Sequence, residues 1–207
     1  NFNDEQIDIL AGLLMGDGSI KRETNNMKIQ CNLTNLDYLN YLYEKFYPLS
    51  SNPKLGRTSK ELAKENVESG FDLSASEDNY SNQYFWHTVS HPEIKQFDSW
   101  YSSGVKVWPK NIKLNPTILK HWYVGDGHFN SSANRIEISM DNEYENTNKV
   151  ENYFEEIGID VDYWNKYTTN GRDRCTAQFG KESSNQLWKY MGDPLPGFGY
   201  KWPERFK

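Results

Sequence analysis

The sequence predicts an α+β fold made of two copies of an αββαββα unit. Three observations carry that prediction. A helix-like run ends in Gly-Asp-Gly twice, at residues 16–18 and 125–127, 109 positions apart. The same succession of strand and helix patterns follows each tripeptide. The closing stretches also match: Gly104-Val105-Lys106-Val107-Trp108-Pro109 ends the first copy and Gly199-Tyr200-Lys201-Trp202-Pro203 the second. Two copies that each lack a full core suggest a pseudo-twofold chain rather than a solenoid. The copies divide into residues 1–109 and 110–207, with 109–116 as the connector.

The elements follow in order. Asn3 suits a helix cap, and Gln6, three residues on, can reach back in a capping box. Ile7, Leu10, Leu13 and Leu14 then recur at helical spacing up to Gly16, where two glycines around an aspartate suit a helix C-terminus. A turn is expected at Asn25-Asn26, a strand at 28–33, and a helix on Leu36, Leu39, Tyr43 and Phe46. Strands at 70–75 and 84–89 and a short helix at 94–101 complete the first copy. The second copy opens with Asn115 as cap and Pro116 at the first helical position. A turn at 130–134 and an alternating strand at 135–140 come next, then a helix on Val150, Tyr153, Phe154 and Ile157. Strands at 161–167 and 175–179 and a helix at 185–190 close it. The acid-rich stretches 61–68, 141–145 and 151–156 read as helical.

Length and composition narrow the class. The chain has 207 residues, 36% apolar, with 7 Trp, 14 Tyr and 10 Phe. So many rings argue against disorder. No run approaches the roughly 18 apolar residues of a membrane span, and no stretch reads as a signal peptide. The first residue is Asn1, so targeting information preceding it is not legible. Cys31 and Cys175 are too few for a disulfide framework and read as buried free thiols, which suits a reducing intracellular compartment.

Leu10-Ala11-Gly12-Leu13-Leu14-Met15-Gly16-Asp17-Gly18 resembles the LAGLIDADG signature of homing endonucleases. Leu119-Lys120-His121-Trp122-Tyr123-Val124-Gly125-Asp126-Gly127 looks like a degenerate second copy, as in the monomeric, two-motif branch of that family. The resemblance covers nearly the whole chain and implies two saddle-shaped antiparallel sheets astride duplex DNA. It also implies site-specific cleavage of both strands with 3′ overhangs, and no obligatory protein partner. Small residues (Ala11, Gly12, Gly16, Gly125) would let the two motif helices touch. Asp17 and Asp126 would then meet at the centre, with the carbonyls of Gly16 and Gly125 beside them. Carboxylates so close repel unless a cation joins them. Mg²⁺ is the expected ion, with Mn²⁺ able to substitute. Lys106 and Lys201 would stabilise phosphate charge, and Gln30 resembles a strand residue that contacts active-site water. Lys120 and His121 replace the small pair Ala11-Gly12 and are expected to face outward or toward the sheet.

The net charge of −6 runs against a polyanionic partner. The first copy carries 10 basic and 15 acidic residues, the second 13 and 14. Locally basic sheets under an acidic helical exterior reconcile the two, because phosphate contacts supply much of the affinity for DNA. The expected DNA-facing cations are Lys21, Arg22, Lys28, Lys54, Arg57, Arg135, Lys166, Arg172 and Arg174. An intron RNA maturase and a catalytically silent DNA-binding protein are the alternatives that share the fold.

Overall fold

The computed structural model describes residues 1–22, 27–102 and 104–207. The turn expected at Asn25-Asn26 lies outside the described residues. Helix α1 (Asp4–Met15) begins as the sequence predicts: Asn3 Oδ1 accepts from the Gln6 amide at 2.8 Å, and Gln6 Oε1 accepts from the Asn3 amide at 2.9 Å. Strands β1 (Ser19–Arg22) and β2 (Met27–Leu33), helix α2 (Leu36–Phe46), strand β3 (Lys54–Arg57), helix α3 (Ser59–Glu68) and strand β4 (Gln83–His87) follow. A 3₁₀ stretch, Pro92–Trp100, and the small hairpin β5 (Tyr101–Ser102)–β6 (Val105–Lys106) close the first copy. The second copy matches the expected order throughout: α4 (Pro116–Asp126), β7 (Gly127–Asn130), β8 (Arg135–Ser139), α5 (Thr147–Glu155), β9 (Tyr163–Thr169), β10 (Arg172–Phe179) and α6 (Lys181–Met191).

Two differences fall in the first copy. Residues 70–75 alternate apolar and polar as a strand would, yet they form a turn. Asp72 accepts from the Ser74 amide and hydroxyl, which offers the backbone a local alternative to a ladder. The strand in that place is β3, only four residues long and interrupted by Gly56. Between β3 and β4 the chain inserts α3, with Thr58 and Glu61 in a capping box, so the acid-rich stretch 61–68 is helical as expected.

The two sheets have the same strand order, β1-β2-β4-β3 and β7-β8-β10-β9, all antiparallel. One face of each sheet covers the core. Ile29, Cys31, Trp86, Ile136, Ile138, Cys175, Ala177 and Phe179 point there and are buried, both thiols unpaired. Paired residues of an antiparallel ladder share a face. The opposite, outer faces therefore carry Ser19, Lys21, Lys28, Gln30, Asn32, Phe85 and His87 in one sheet, and Asn130, Arg135, Glu137, Ser139, Arg174, Thr176 and Gln178 in the other. That division of apolar inside and polar outside is the period-2 pattern of a sheet packed on one side only.

Helices α1 and α4 pack directly against one another and against the sheets, so both are apolar around most of their circumference. Aromatic pairs fill the joints. Trp108 meets Trp122 edge to face at 5.0 Å, and Tyr123 meets Trp202 at 5.1 Å. Residues 109–115 carry no regular structure but stay anchored, with Ile112 and Leu114 buried. The Glu143–Lys149 ion pair grips Trp108 from both sides: Glu143 Oε1 accepts from its amide and Lys149 Nζ donates to its carbonyl. No described helix is long and apolar enough to cross a membrane.

Candidate active site

The site begins with the contact between α1 and α4. At their N-terminal ends, the Asn115 side chain caps the Ile118 amide and donates to Asp8 Oδ2 at 2.7 Å. Midway, a Cβ on Gly12 would stand 2.5 Å from the Ile118 carbonyl oxygen and 2.7 Å from His121 Cβ. His121 therefore faces neither outward nor the sheet, the two places its bulk suggested. It is turned into the helix interface, where the missing side chain of Gly12 leaves it room. The Tyr38 hydroxyl lies 2.5 Å from His121 Nδ1. Burial holds the phenol proton in place and pushes the imidazole pKa down to about 3, so neutral histidine accepts from tyrosine.

At the C-terminal ends, Gly16 and Gly125 face each other. Gly16 has φ −97°, so it is not a left-handed helix stop. The glycines there serve close approach instead: a Cβ on Gly18 would meet the Leu13 carbonyl oxygen at 2.6 Å. This packing delivers Asp17 and Asp126 to one place. The Asp17 side chain still reaches solvent, yet protein atoms crowd it; burial raises its pKa, against the pull of Lys201 and Lys106. Asp126 is raised to about 7, by burial first and by repulsion from Asp17 second.

Lys106 and Lys201 hold equivalent posts. Lys106 Nζ donates to the carbonyls of Gly16 (2.6 Å) and Gly18 (3.1 Å). Lys201 Nζ donates to those of Val124 and Gly127, both at 2.7 Å. Each ammonium thus rests on the partially negative end of a motif helix. Burial pulls both lysine pKa values down, while the two aspartates push back.

Two clefts flank the helix ends, and each is composite. One, about 240 Å³, is lined by Gly16 and Lys106 from the first copy and by Asp126, Ser139 and Asp141 from the second. The other, about 170 Å³, is lined by Asp17 and Asn35 from the first copy and by Gly125, Tyr200 and Lys201 from the second. Each cleft therefore joins the carboxylate of one motif to the glycine of the other, with one lysine.

The donor set favours a hard cation with open positions. No cluster of three or more His, Cys, Asp or Glu suited to a metal occurs among the described residues. Asp126 and Asp141 in one cleft and Asp17 in the other, with backbone carbonyls and room for water, suit Mg²⁺ or Mn²⁺ rather than a closed zinc site. The Gly16 carbonyl already accepts from Lys106, which leaves one lone pair for any further partner.

Gln30 is not in either cleft. It pairs with Ser19 on the outer face, which Asn32, two residues on, shares. In the second sheet the corresponding residue is Ser139, which does line a cleft. Asp141, which sequence reasoning placed only in an acid-rich stretch, also lines that cleft; its Oδ2 pairs with Arg174 at 2.6 Å.

Seven of the nine expected DNA-facing cations lie on the outer faces: Lys21, Lys28, Lys54, Arg57, Arg135, Arg172 and Arg174. Two do not. Arg22 pairs with Met27, which puts it on the core side, where it bonds Asp98 and overlies the Tyr101 ring. Lys166 pairs with buried Cys175 and reaches Thr147 and the Tyr144 ring on the helix side. Three of the seven are already engaged by acids: Arg57 with Glu65, Arg135 with Glu137 and Arg174 with Asp141.

A duplicated α+β chain that presents two carboxylates and two lysines at the joint of its paired helices defines a class of single-chain, two-motif proteins. The chain belongs to the LAGLIDADG DNA endonuclease family, whose model it matches over residues 7–187. An uncharacterised protein of Methanocaldococcus jannaschii is 26% identical over 147 residues, 68% of this chain and 50% of the relative. The chain thus spans about half the length of that curated relative. Among solved structures, the homing endonuclease I-WcaI bound to its DNA recognition sequence superposes with a TM-score of 0.70 at 15% identity, covering 96% of this chain and 86% of that one. The structure of I-DmoI in complex with DNA and Ca superposes with a TM-score of 0.54 at 11% identity, covering 95% of each. These likenesses establish the LAGLIDADG homing endonuclease fold.

Proposed function

We propose that this protein is a site-specific DNA endonuclease that cuts both strands of a duplex with a divalent cation, Mg²⁺ or Mn²⁺. Residues 1–109 and 110–207 act as two subdomains, each serving one side of the target, so one chain suffices without a protein partner. The observation that carries this reading is the pair of composite clefts, each with one motif aspartate, one lysine and the glycine of the other motif. Solved neighbours bound to DNA, one with Ca and another with Mn, support duplex and divalent-ion use here.

The outer faces dock in the major groove on either side of the joint, where Asn, Gln, Ser, Thr, Tyr and Arg side chains meet base edges. That docking brings one phosphate of each strand to one cleft. Asp17 and Asp126 would hold the cation, with the Gly16 and Gly125 carbonyls beside it. A bound divalent cation would supply neutralisation of phosphate charge and acidification of water. Lys106 and Lys201 stand where charge accumulates on the phosphate oxygens and stabilise it. Ser139, which lines the cleft of Asp126, orients the entering water there by a hydrogen bond.

The test uses circular plasmids carrying a randomised insert, incubated with Mg²⁺, with Mn²⁺ or with EDTA, followed by sequencing of the ends. Linear product that needs the cation and carries one recurring flanking sequence is expected. DNA binding without linear product in either metal would replace this reading with that of a silent DNA-binding protein.

A further inference from the structure

The two copies differ most at the β3–β4 and β9–β10 connections. In the second copy, β9 and β10 join through Asn170-Gly171, both with positive φ (50° and 69°), the signature of a tight two-residue hairpin. In the first copy the same connection is residues 58–82, which include α3 and the turn that follows it. That insertion reaches the other copy's hairpin. A gap of about 440 Å³ is lined by Gly70 and Phe71 on one side and by Thr169, Asn170, Arg172 and Arg174 on the other.

The lining is chemically two-sided. Phe71 lines the gap and is 78% exposed, so most of its ring is open to a ligand. Arg22, Arg57, Arg135, Arg174 and Arg205 each have a side-chain partner. Arg172 is the one arginine without a hydrogen bond or ion pair among the described residues. The nearby acids are engaged away from it: Asp72 bonds Ser74 and Tyr80, and Asp173 accepts from Thr168. An unpaired guanidinium facing an exposed ring across an open gap suits a ligand that is anionic on one side and apolar on the other.

We infer that this gap grips the sugar-phosphate backbone of the bound duplex, with a phosphate on Arg172 and a deoxyribose against Phe71. The inference rests on the DNA-binding reading above and extends it. The contact reads backbone rather than sequence. Because only the first copy carries the insertion, the grip is one-sided, and the protein covers more of one DNA strand than its internal symmetry would give.

The test uses the tightest-binding duplex selected from a randomised pool, hydroxyl-radical footprinting, and affinity measured against KCl concentration. Phe71→Ala should expose deoxyriboses on one strand only. Arg172→Ala should flatten the salt slope by roughly 0.9, the value for one lost phosphate contact, and Arg172→Lys should restore it. Both positions are exposed, so circular dichroism should match the parent. A parent that binds its duplex while footprint and slope stay unchanged in these variants overturns the grip and leaves the endonuclease reading standing. A missing effect in either single variant overturns the paired contact. A parent that binds no duplex overturns both.

Discussion

A methyl group on Gly125 would stand 3.1 Å from the Cα of Gly16 and 3.0 Å from the Asp17 amide nitrogen. The two motif helices therefore touch backbone to backbone at the point where they deliver their carboxylates. That contact sets the separation of Asp17 and Asp126, and with it their mutual repulsion.

Gly125→Ala should force the helix ends apart by a few tenths of an ångström and cost about 1–3 kcal/mol, as overpacking does. Gly12→Ala should cost more, because its Cβ would meet the Ile118 carbonyl at 2.5 Å and His121 at 2.7 Å, with no flexible side-chain end to yield. Urea unfolding of both variants checks this order. A Gly12→Ala protein as stable as the parent would show that the interface is looser than described.

His121 should make the protein acid-sensitive. Its folded-state pKa is about 3, below the ordinary 6.5. The unfolded chain thus binds a proton that the folded chain refuses, and the stabilisation present above pH 6.5 is lost as pH falls toward 3. At pH 4.5 the loss from this residue is about 2–3 kcal/mol. His121→Leu should be less stable than the parent at pH 7, where Tyr38 loses its acceptor, yet should lose less on acidification. Parallel unfolding at pH 7 and 4.5 reads the difference, and an identical acid loss in both proteins would show that His121 is protonated in place.

The lysines should act strand by strand, because Lys106 lines the cleft of Asp126 and Lys201 the cleft of Asp17. Lys106→Met should slow one cut by roughly 10²–10³ while sparing the other, so nicked circles accumulate. Lys201→Met should give the opposite nick. Sequencing the nicked strand decides it, and equal slowing of both strands by either variant would argue against separate clefts.

Lys21→Ala and Lys54→Ala should each lower the salt slope of duplex binding by roughly 0.9 if the residue meets one phosphate. Arg22→Ala and Lys166→Ala should leave the slope unchanged, because both side chains lie on the core side of their sheets. A lowered slope in the latter pair would reverse the assignment of faces.

The sequence made the duplication legible because its signals are local. Asn3 and Asn115 cap, Pro116 starts a helix, and each helix ends at Gly-Asp-Gly. The central pair Asp17 and Asp126, and the lysines before Trp-Pro, followed from that repeat. What it hid depends on register and on side-chain bonds. Arg22 differs from Lys21 only by one place on a strand, and one place reverses the face. Residues 70–75 alternate like a strand, but Asp72 turns them. Ser139 gave a signal that the repeat could have exposed, since it ends the second strand after its motif. His121 gave none, because its place depends on the gap left by Gly12 in a helix 109 residues away.

The central claim is that Asp17 and Asp126 together hold the cation that cuts both strands. Its most direct measurement is the rate of target-plasmid linearisation in Mg²⁺ by the parent, Asp17→Asn and Asp126→Asn, with duplex affinity measured alongside. Asn keeps the shape and removes the charge, so each variant should cut at least about 10³-fold more slowly, the loss of roughly 4 kcal/mol of transition-state stabilisation. Affinity should hold or improve, since a negative charge near phosphate is gone. A variant that binds and linearises the target at the parent's rate would contradict the claim for that aspartate.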